Sequence, residues 1–247
     1  MSRITPGYLR GLLIGNPLVL LVTVLLGVVN LIAPLFDPEG RFQIRVGRLW
    51  SRLLIPIGGV KLTVEGLEKI DPKGSYIFAS NHRSFMDTPV VLGQIPVQFR
   101  FLAKSGLFKV PFLGYHMKRA GHISVHREDP RSALKTMAEA ARIIRERGIS
   151  VLVFPEGSRS VNGLRRFKEG AAYIAIKAGV PIVPVAIEGT PEVLPHNSLT
   201  MRPGKVRLAI GDPIPTGNLS LADRASLTEQ VRTRVAALLG DPMQTPV

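Results

Sequence analysis

Residues 11–36, GLLIGNPLVLLVTVLLGVVNLIAPLF, contain no charged side chain. A segment this apolar has to be buried in lipid or in a protein core, because leaving it in water costs free energy. Pro17 and Pro34 interrupt the segment, which favours a straight helix over residues 18–33 only. That helix would be about 24 Å long, whereas the hydrocarbon core of a bilayer is about 30 Å thick. A complete membrane crossing is therefore marginal.

The next segment, residues 41–59, has the composition of a helix at a membrane surface. Its apolar side chains recur at helical spacing, at Phe42, Val46, Leu49, Trp50, Leu53 and Ile57. Its arginines lie mainly on the other side, at Arg41, Arg45, Arg48 and Arg52. Apolar residues and tryptophan on one face with arginine on the other are typical of an interfacial helix.

Basic residues also precede the first segment, at Arg3 and Arg10, and basic flanks on both sides disfavour a simple membrane crossing. We therefore expect residues 1–57 to form a two-helix membrane-associating motif that enters one leaflet. Two alternatives stay open. One is a cleaved signal peptide: LVLLVTVLLGVV has a suitable length, but NLIAPLF lacks the usual small-residue cleavage site. The other is a helical hairpin packed on the main domain.

Net charge and hydropathy together limit the classes of molecule that the chain is expected to bind. The formal net charge is +14 and the mean hydropathy is +0.20. Excess positive charge attracts nucleic acid, anionic membranes or phosphorylated small molecules, and the apolar character points first to a membrane. A nucleic-acid binder is the weaker alternative, because aromatic residues make up only 6% of the chain. The absence of cysteine excludes disulfides, thiolate nucleophiles and cysteine-bound zinc, and favours a reducing compartment.

Beyond residue 58 the sequence alternates between strand and helix patterns. We predict strands over residues 60–66, 75–80, 98–104, 121–127, 149–155, 180–187 and 205–211. We predict helices over residues 88–95, 129–148, 169–179 and 223–239. The helix at 129–148 has the clearest boundary signals, with Asp129 as N-cap, Pro130 at the first helical position and Gly148 after its end. Residues 58–247 are therefore predicted to form one α/β domain with a mostly parallel mixed sheet flanked by helices.

Two polar clusters follow predicted strands, which is where open α/β sheets place their sites. The first, NHRSFMD, contains His82 and Asp87. If His82 precedes a helix that begins near Asp87, the carboxylate can fix one imidazole tautomer and leave the other nitrogen to accept a proton. The alternative is structural, because Ser84 and Asp87 have the spacing of a capping box. A Thr88 cap followed by Pro89 would instead leave Asp87 free.

The second cluster, FPEGSRS, contains Glu156, Gly157, Ser158 and Arg159. Glycine allows close backbone approach, arginine offers a fork for phosphate, and glutamate can accept a hydroxyl proton. The alternative is a turn with a surface arginine.

Other basic and imidazole side chains are harder to assign. Lys104 and Arg127 end two predicted strands and Lys168 lies in FKEG, so all three can point to the site or simply be solvated. His122 and His126 are about 13 Å apart on an extended strand, which is too far for one metal ion. We therefore expect no metal site.

Taken together, these motifs resemble those of the glycerolipid acyltransferases, most closely the bacterial 1-acyl-sn-glycerol-3-phosphate acyltransferases of the PlsC type. NHRSFMD is similar to the N-H-x4-D block, GHISVHR to the second block, VFPEGSRS to the F-P-E-G-[ST]-R-S block and VPIVPVAI to the fourth block. AKSGLFKVPFLG, between the first two, also matches, and the blocks span residues 76–187. Ser158 replaces the commoner threonine, and His126 stands where an acidic or polar residue often precedes the arginine.

The resemblance implies transfer of a fatty acyl group from a thioester to the 2-hydroxyl of lysophosphatidic acid, giving phosphatidic acid. It implies that His82 takes the hydroxyl proton and that Asp87 orients and charge-stabilises the imidazole. It assigns Arg159 and Lys104 to the acceptor phosphate and Glu156 to the glycerol hydroxyl region, with Asn81 and Arg127 in support. The substrate-binding residues that it implies are Lys104, Arg127, Glu156, Gly157, Ser158 and Arg159.

The resemblance implies no cofactor and no metal ion, because a thioester is already activated and the acceptor hydroxyl is itself the nucleophile. The acyl donor is expected to be acyl-CoA or acyl carrier protein, and another glycerolipid acceptor stays an alternative. The expected partners are the lysophosphatidic acid acceptor and an anionic phospholipid surface, with no nucleic acid. The expected location is the cytoplasmic face of the inner membrane.

Overall fold

The computed structural model describes residues 5–32, 37, 40–126 and 128–240 of the chain. The strands are β1 (Val60–Glu65), β2 (Ile77–Ser80), β3 (Phe99–Lys104), β4 (Ile123–Val125), β5 (Ser150–Val153), β6 (Ile182–Glu188) and β7 (Gly204–Ile210). The α-helices are α1 (Pro6–Arg10), α2 (Asn16–Ile32), α3 (Arg41–Ile57), α4 (Asp87–Gln94), α5 (Leu113–Arg119), α6 (Pro130–Arg147), α7 (Gly170–Ala178), α8 (Thr190–Val193) and α9 (Arg224–Leu239). Each predicted strand and helix of the α/β domain is present, whereas the short helices α5 and α8 were not predicted.

The strands form one sheet in the order β1-β7-β6-β2-β5-β3-β4. Neighbouring strands are parallel, except for the antiparallel pair β6 and β7. The prediction of a mostly parallel mixed sheet flanked by helices is therefore confirmed. The parallel pairing brings the carboxyl ends of β6, β2, β5 and β3 to one edge of the sheet, which we call the carboxyl edge.

Alternate residues of the central strands face two hydrophobic cores. Phe78 of β2 and Leu152 of β5 belong to the core that contains residues of α3 and α4. Their neighbours Ile77 and Val151 belong to the core under α6, α7 and α9. Because both faces are covered, the central strands are continuously apolar, as expected for a buried parallel sheet.

Helix α6 has the boundaries that the sequence predicts. The Asp129 carboxylate accepts the backbone N–H groups of Arg131 and Ser132 at 3.0 and 3.2 Å, and Pro130 occupies the first helical position. Gly148 ends the helix with a left-handed backbone, a conformation that glycine adopts without steric cost. This helix packs on β4 and β5 and so covers one face of the sheet next to the carboxyl edge.

The N-terminal apolar segment is longer as a helix than its prolines suggest. Helix α1, a π-helical turn at Gly11–Gly15 and α2 form a single helix over Pro6–Ile32, which is long and apolar enough to cross a membrane by length and composition. Pro17 does not end it, because the wider π turn precedes the proline and relieves the clash with the preceding turn. Its 27 residues span about 40 Å, so the expected marginal length is corrected. Only 6% of its most apolar window is buried, which is unlike a core helix.

Helix α3 divides its surface between the domain and the exterior. Its buried face includes Ile44, Val46 and Leu54 and packs mainly on α4, whereas Phe42 and Leu49 are exposed. The sequence predicts Val46 on the outward apolar face, but this residue is buried. The Nε1 group of Trp50 donates a hydrogen bond to the hydroxyl of Thr23 in α2 at 2.9 Å and joins the two helices.

Candidate active site

The two polar clusters of the sequence meet at the carboxyl edge, because they follow the adjacent strands β2 and β5. Two hydrogen bonds join the loops directly. The backbone N–H of His82 donates to Oε1 of Glu156 at 2.7 Å, and the N–H of Ser160 donates to the carbonyl of His82 at 2.7 Å. The loops therefore hold each other in one arrangement.

His82 and Asp87 form a hydrogen-bonded pair, with Nδ1 of the imidazole 2.7 Å from Oδ2 of the carboxylate. His82 lies in the loop before α4, and Asp87 is the first residue of that helix, which is the arrangement that the sequence analysis requires. The Asp87 side chain is fully buried, whereas that of His82 is 17% exposed. With Nδ1 directed at the carboxylate, Nε2 is the nitrogen left to exchange a proton with a substrate.

The Asp87 carboxylate also holds the loop that carries the histidine. Its Oδ2 accepts the backbone N–H groups of Arg83 and Ser84 at 2.7 and 2.9 Å, and its Oδ1 accepts the hydroxyl hydrogen of Thr190. The catalytic and structural interpretations of Asp87 are therefore compatible. Each oxygen is fixed by a donor, which pre-organises the carboxylate before any substrate binds.

The caps suggested for α4 differ from the observed ones. Met86 occupies the N-cap and makes no side-chain capping bond, so the helix begins earlier than a Thr88 cap would require. Ser84 contributes only half of a capping box, because its hydroxyl donates to the carbonyl of Leu194 and accepts the N–H of Met86 at 3.1 Å. The remaining half is the bond from the Ser84 N–H to Asp87.

Phe154 supports the other side of the imidazole. Its ring stacks on His82 with centroids 4.1 Å apart and planes inclined by 17°. Phe154 follows β5 directly, so the same strand that carries the second cluster also limits rotation of the histidine. The sequence analysis did not identify this residue.

Both oxygens of Glu156 accept backbone hydrogen bonds. Oε1 accepts the N–H of His82 and Oε2 accepts the N–H of Arg165 at 3.1 Å. Burial raises the pKa of this carboxyl group, and the two backbone donors oppose that effect. Glu156 therefore joins the two loops through its carboxylate. The resemblance implies a different role for this residue, contact with the substrate glycerol.

Arg159 lies against the first loop. The carbon of its guanidinium is 3.6 Å from the centroid of the Phe85 ring, in a cation–π contact that holds a planar donor group beside the His82 loop. Ser158 is exposed and accepts a bond from Nη1 of Arg165 at 3.0 Å. Gly157 has φ of +82°, and the Lys168 side chain lies over its α-carbon.

Lys104 ends β3, next to β5, at the same edge of the sheet. Its ammonium group pairs with Glu128 at 3.1 Å, and both side chains are largely exposed. The structure therefore places Lys104 on the outer part of this edge. Arg127, the other cation predicted from a strand end, lies outside the described residues.

The two histidines of the second block have different environments. His122 accepts the N–H of Phe101 on Nδ1 at 3.1 Å, and burial, followed by the nearby His116 and Arg100, lowers its pKa to about 3. His126 is exposed. Within the described ranges, no three histidine or carboxylate side chains are grouped to hold a metal ion.

Thr190 is the site residue that sequence reasoning missed most clearly. It is fully buried and follows β6, whose carboxyl end adjoins that of β2. Asn81 joins the same strands, since its side-chain amide donates to the carbonyl of Ile187 at 2.9 Å and accepts the N–H of Ile187 at 2.8 Å. Polar residues after β6 could have been included by the rule that strand ends at this edge carry the site.

A mostly apolar cleft of about 300 Å³ adjoins the site on the side of α6 and α7. Phe154, the ring that stacks on His82, forms part of its wall together with Leu102, Val125 and Met137. Phe154 therefore connects the imidazole to the lining of an apolar cleft.

A model of the acyltransferase family matches residues 61–188. A chloroplast 1-acyl-sn-glycerol-3-phosphate acyltransferase of Arabidopsis thaliana is 35% identical over 82% of the chain and 53% of its own length. That of Limnanthes douglasii is 33% identical over 76% of the chain and 68% of its own length. The human alpha form is 30% identical over 70% of the chain and 62% of its length. The chain thus spans about half the length of the first of these relatives.

The solved structure of PlsC, the 1-acyl-sn-glycerophosphate acyltransferase of Thermotoga maritima, has the same fold. It superimposes with a TM-score of 0.77 and 27% sequence identity, and the match covers 96% of this chain and 99% of the other. The likeness extends across the sheet and the N-terminal region, since so little of either chain is left outside it.

Proposed function

The chain belongs to the acyltransferase family, and we propose that it transfers a fatty acyl group from a thioester to the 2-hydroxyl of lysophosphatidic acid, giving phosphatidic acid. The observation that carries this proposal is the hydrogen-bonded pair of His82 and a fully buried Asp87 at the carboxyl edge, in a loop whose Phe85 ring contacts the Arg159 guanidinium. Relatives named for this acceptor support the choice of substrate.

His82 acts as the general base in the proposed reaction. Its Nε2 accepts the proton of the 2-hydroxyl as the oxygen attacks the thioester carbonyl. The new ester C–O bond forms, the C–S bond breaks, and the thiolate takes the proton back from the imidazolium. Asp87 stabilises the imidazolium and keeps the ring in the required tautomer. A positioned base of this kind contributes on the order of 10² to 10⁴ in rate.

The acceptor phosphate would be bound by Arg159, with Lys104 as a second, more exposed cation. Arg159 is suited to this role because stacking on Phe85 directs a planar, always charged fork toward the His82 loop. Glu156 serves as a positioning residue, since both of its oxygens already bind backbone N–H groups. Gly157 and Ser158 shape the turn that brings Arg159 to this position.

The apolar N-terminal helix fits an enzyme that associates with a membrane. Moving a 16-carbon chain into water costs about 0.8 kcal/mol per CH₂, or on the order of 12 kcal/mol. That cost exceeds the gain from a general base, so the acyl chains have to remain in lipid or in an apolar cleft during transfer. We propose that the protein works at the cytoplasmic face of the inner membrane, on a lipid acceptor and not on nucleic acid.

The experiment that tests this proposal is a matrix of acceptors and donors with the full-length protein in detergent. The acceptors are lysophosphatidic acid, glycerol 3-phosphate and lysophosphatidylcholine, and the donors are palmitoyl-CoA and palmitoyl acyl carrier protein. Mass spectrometry of the lipid products should show phosphatidic acid as the main product with at least one donor. Equal acylation of lysophosphatidylcholine, or no ester formation from either donor, would reject the proposal.

A further inference from the structure

Residues 105–115, between β3 and α5, expose an unusual number of apolar side chains, and we call them the Phe112 segment. Leu107, Val110, Leu113 and Tyr115 are exposed, and Phe112 is 76% exposed. Water is a poor environment for such a group, and monomeric proteins rarely leave clustered apolar residues uncovered without a partner. The segment therefore requires an apolar partner.

The backbone of the Phe112 segment keeps the aromatic ring in this outward position. Phe112 has φ of +60° and is the one non-glycine residue with positive φ in the described ranges. The N–H of Leu113 donates to the carbonyl of Pro111 at 2.6 Å and the N–H of Gly114 to that of Val110 at 2.7 Å, which closes a tight turn. Such a turn is strained for a side chain larger than glycine, so stability alone does not account for phenylalanine here.

The charged residues within the segment and next to it in sequence are all positive. Residues 99–127 contain no aspartate or glutamate. Lys109, Lys118 and Arg119 are exposed on the segment and on α5. An apolar tip with a cationic surround is complementary to an anionic lipid surface, where rings enter the acyl boundary and cations contact phosphates.

The segment is continuous with the membrane-associating helices through α5. The last residues of α5 contact the start of α3, since a β-carbon on Gly40 would lie 2.8 Å from the carbonyl of Arg119. The segment itself follows β3 at the carboxyl edge, two strands from the strand that leads to His82. A lipid surface that covers the segment would therefore also approach the edge that carries the site.

We propose that the Phe112 segment is a second membrane contact, which inserts Phe112 into an anionic leaflet and supplements the N-terminal helices. This contact does not depend on the proposed reaction. It would orient the domain, because two separated attachments fix the tilt of the carboxyl edge relative to the lipid whereas one helix does not. An acidic protein is the competing partner for the same surface.

The test uses tryptophan fluorescence of the full-length protein in vesicles of phosphatidylethanolamine and phosphatidylglycerol. Trp50 is the single tryptophan of the chain, so a W50F background allows one reporter at a time. Phe112→Trp should show blue-shifted emission that is quenched by lipids brominated on the acyl chain. Glu146→Trp, on the exposed face of α6 behind the opposite core, is the control and should stay unquenched.

The outcomes distinguish a second membrane contact at Phe112 from attachment of the protein by its N-terminal helices alone. Quenching of Trp50 in the unmodified protein without quenching of Trp in F112W would overturn the second contact and leave the helices attached. A blue shift of F112W that appears only on addition of acidic acyl carrier protein would also overturn it. Quenching at neither position would contradict both membrane statements.

A second reporter covers the case in which Phe112→Trp disturbs the turn. Leu107→Trp in the W50F background leaves Phe112 intact and should also be quenched. Adding Phe112→Gly should abolish most of that quenching without lowering the melting midpoint in detergent, because glycine adopts positive φ without strain. A lower melting midpoint with unchanged quenching would mean that Phe112 serves the fold and not the lipid contact.

Discussion

Thr190 donates a hydrogen bond from its hydroxyl to Oδ1 of Asp87, while Nδ1 of His82 lies 2.7 Å from Oδ2 of the same carboxylate. The two contacts occupy opposite oxygens, so β6 and β2 fix the carboxylate from two sides. The carboxylate that orients the proposed base therefore depends on a residue that is 103 positions from Asp87 in sequence.

Thr190→Val should lower kcat by on the order of tenfold, because a hydrogen bond to a charged group is worth about 1.5–3 kcal/mol. Without this donor Oδ1 of the buried carboxylate loses its partner, so the imidazole is oriented less firmly and the KM for lysophosphatidic acid should change little. Thr190→Ser keeps the hydroxyl and should restore kcat. An unchanged kcat in the valine variant, or equal loss in the serine variant, would argue for a packing role only.

Glu156→Gln should lower kcat by about tenfold with a small change in the KM for lysophosphatidic acid. The amide keeps one acceptor oxygen, so one of the two loop bonds is lost and His82 is positioned less firmly. We expect the melting midpoint to fall by about 2–4 °C per kcal/mol lost. Glu192→Gln, at an exposed glutamate, is the control. A large rise in KM with unchanged kcat and stability would instead support contact with the glycerol.

Arg159→Ala should reduce the preference for a phosphorylated acceptor by about 10- to 100-fold, since one charged hydrogen bond contributes about 1.5–3 kcal/mol. The measurement is kcat/KM for lysophosphatidic acid relative to monoacylglycerol. Arg159→Lys keeps the charge but loses the planar contact with Phe85, so its effect should be intermediate. Arg166→Ala, at an exposed arginine of the same loop, should leave the ratio unchanged; an equal effect there would indicate long-range charge only.

Acid should destabilise the fold through His122. Its folded pKa of about 3 lies below the unfolded value of 6.5, so the unfolded state binds the extra proton and stability falls as pH drops below 6.5. The loss at pH 5 is up to about 2 kcal/mol. His122→Asn, which keeps an acceptor for the Phe101 N–H, should flatten thermal stability between pH 7 and 5. His126→Asn should retain the wild-type dependence; a flat wild-type profile would contradict the assignment.

Much of the fold follows from local pattern. Continuous apolar runs gave β2 and β5, and the caps Asp129 and Gly148 bounded α6, because these signals depend on neighbours in sequence. The expectation that Pro17 interrupts the N-terminal helix was wrong, because the π-helical turn before it depends on the conformation of the whole helix. The outward face of α3 was only partly predicted, because the set of residues that the helix buries depends on its packing against α4.

The site was predictable where it lies within one loop. His82 and Asp87 are five positions apart in one loop. Because sites of open α/β sheets lie beyond the carboxyl ends of the strands, this loop was expected at the carboxyl edge. Thr190 and Phe154 were missed because their contacts with this pair depend on which strands become neighbours. The contact of Glu156 with the backbone of His82 was missed for the same reason, because it joins loops that follow two different strands.

The most direct test of the central claim is the turnover of lysophosphatidic acid by His82→Gln in the purified, full-length protein. We predict that phosphatidic acid formation falls by on the order of 10² to 10⁴ while the melting midpoint stays close to that of the wild type. Turnover near the wild-type rate in this variant would contradict the assignment of His82 as the base.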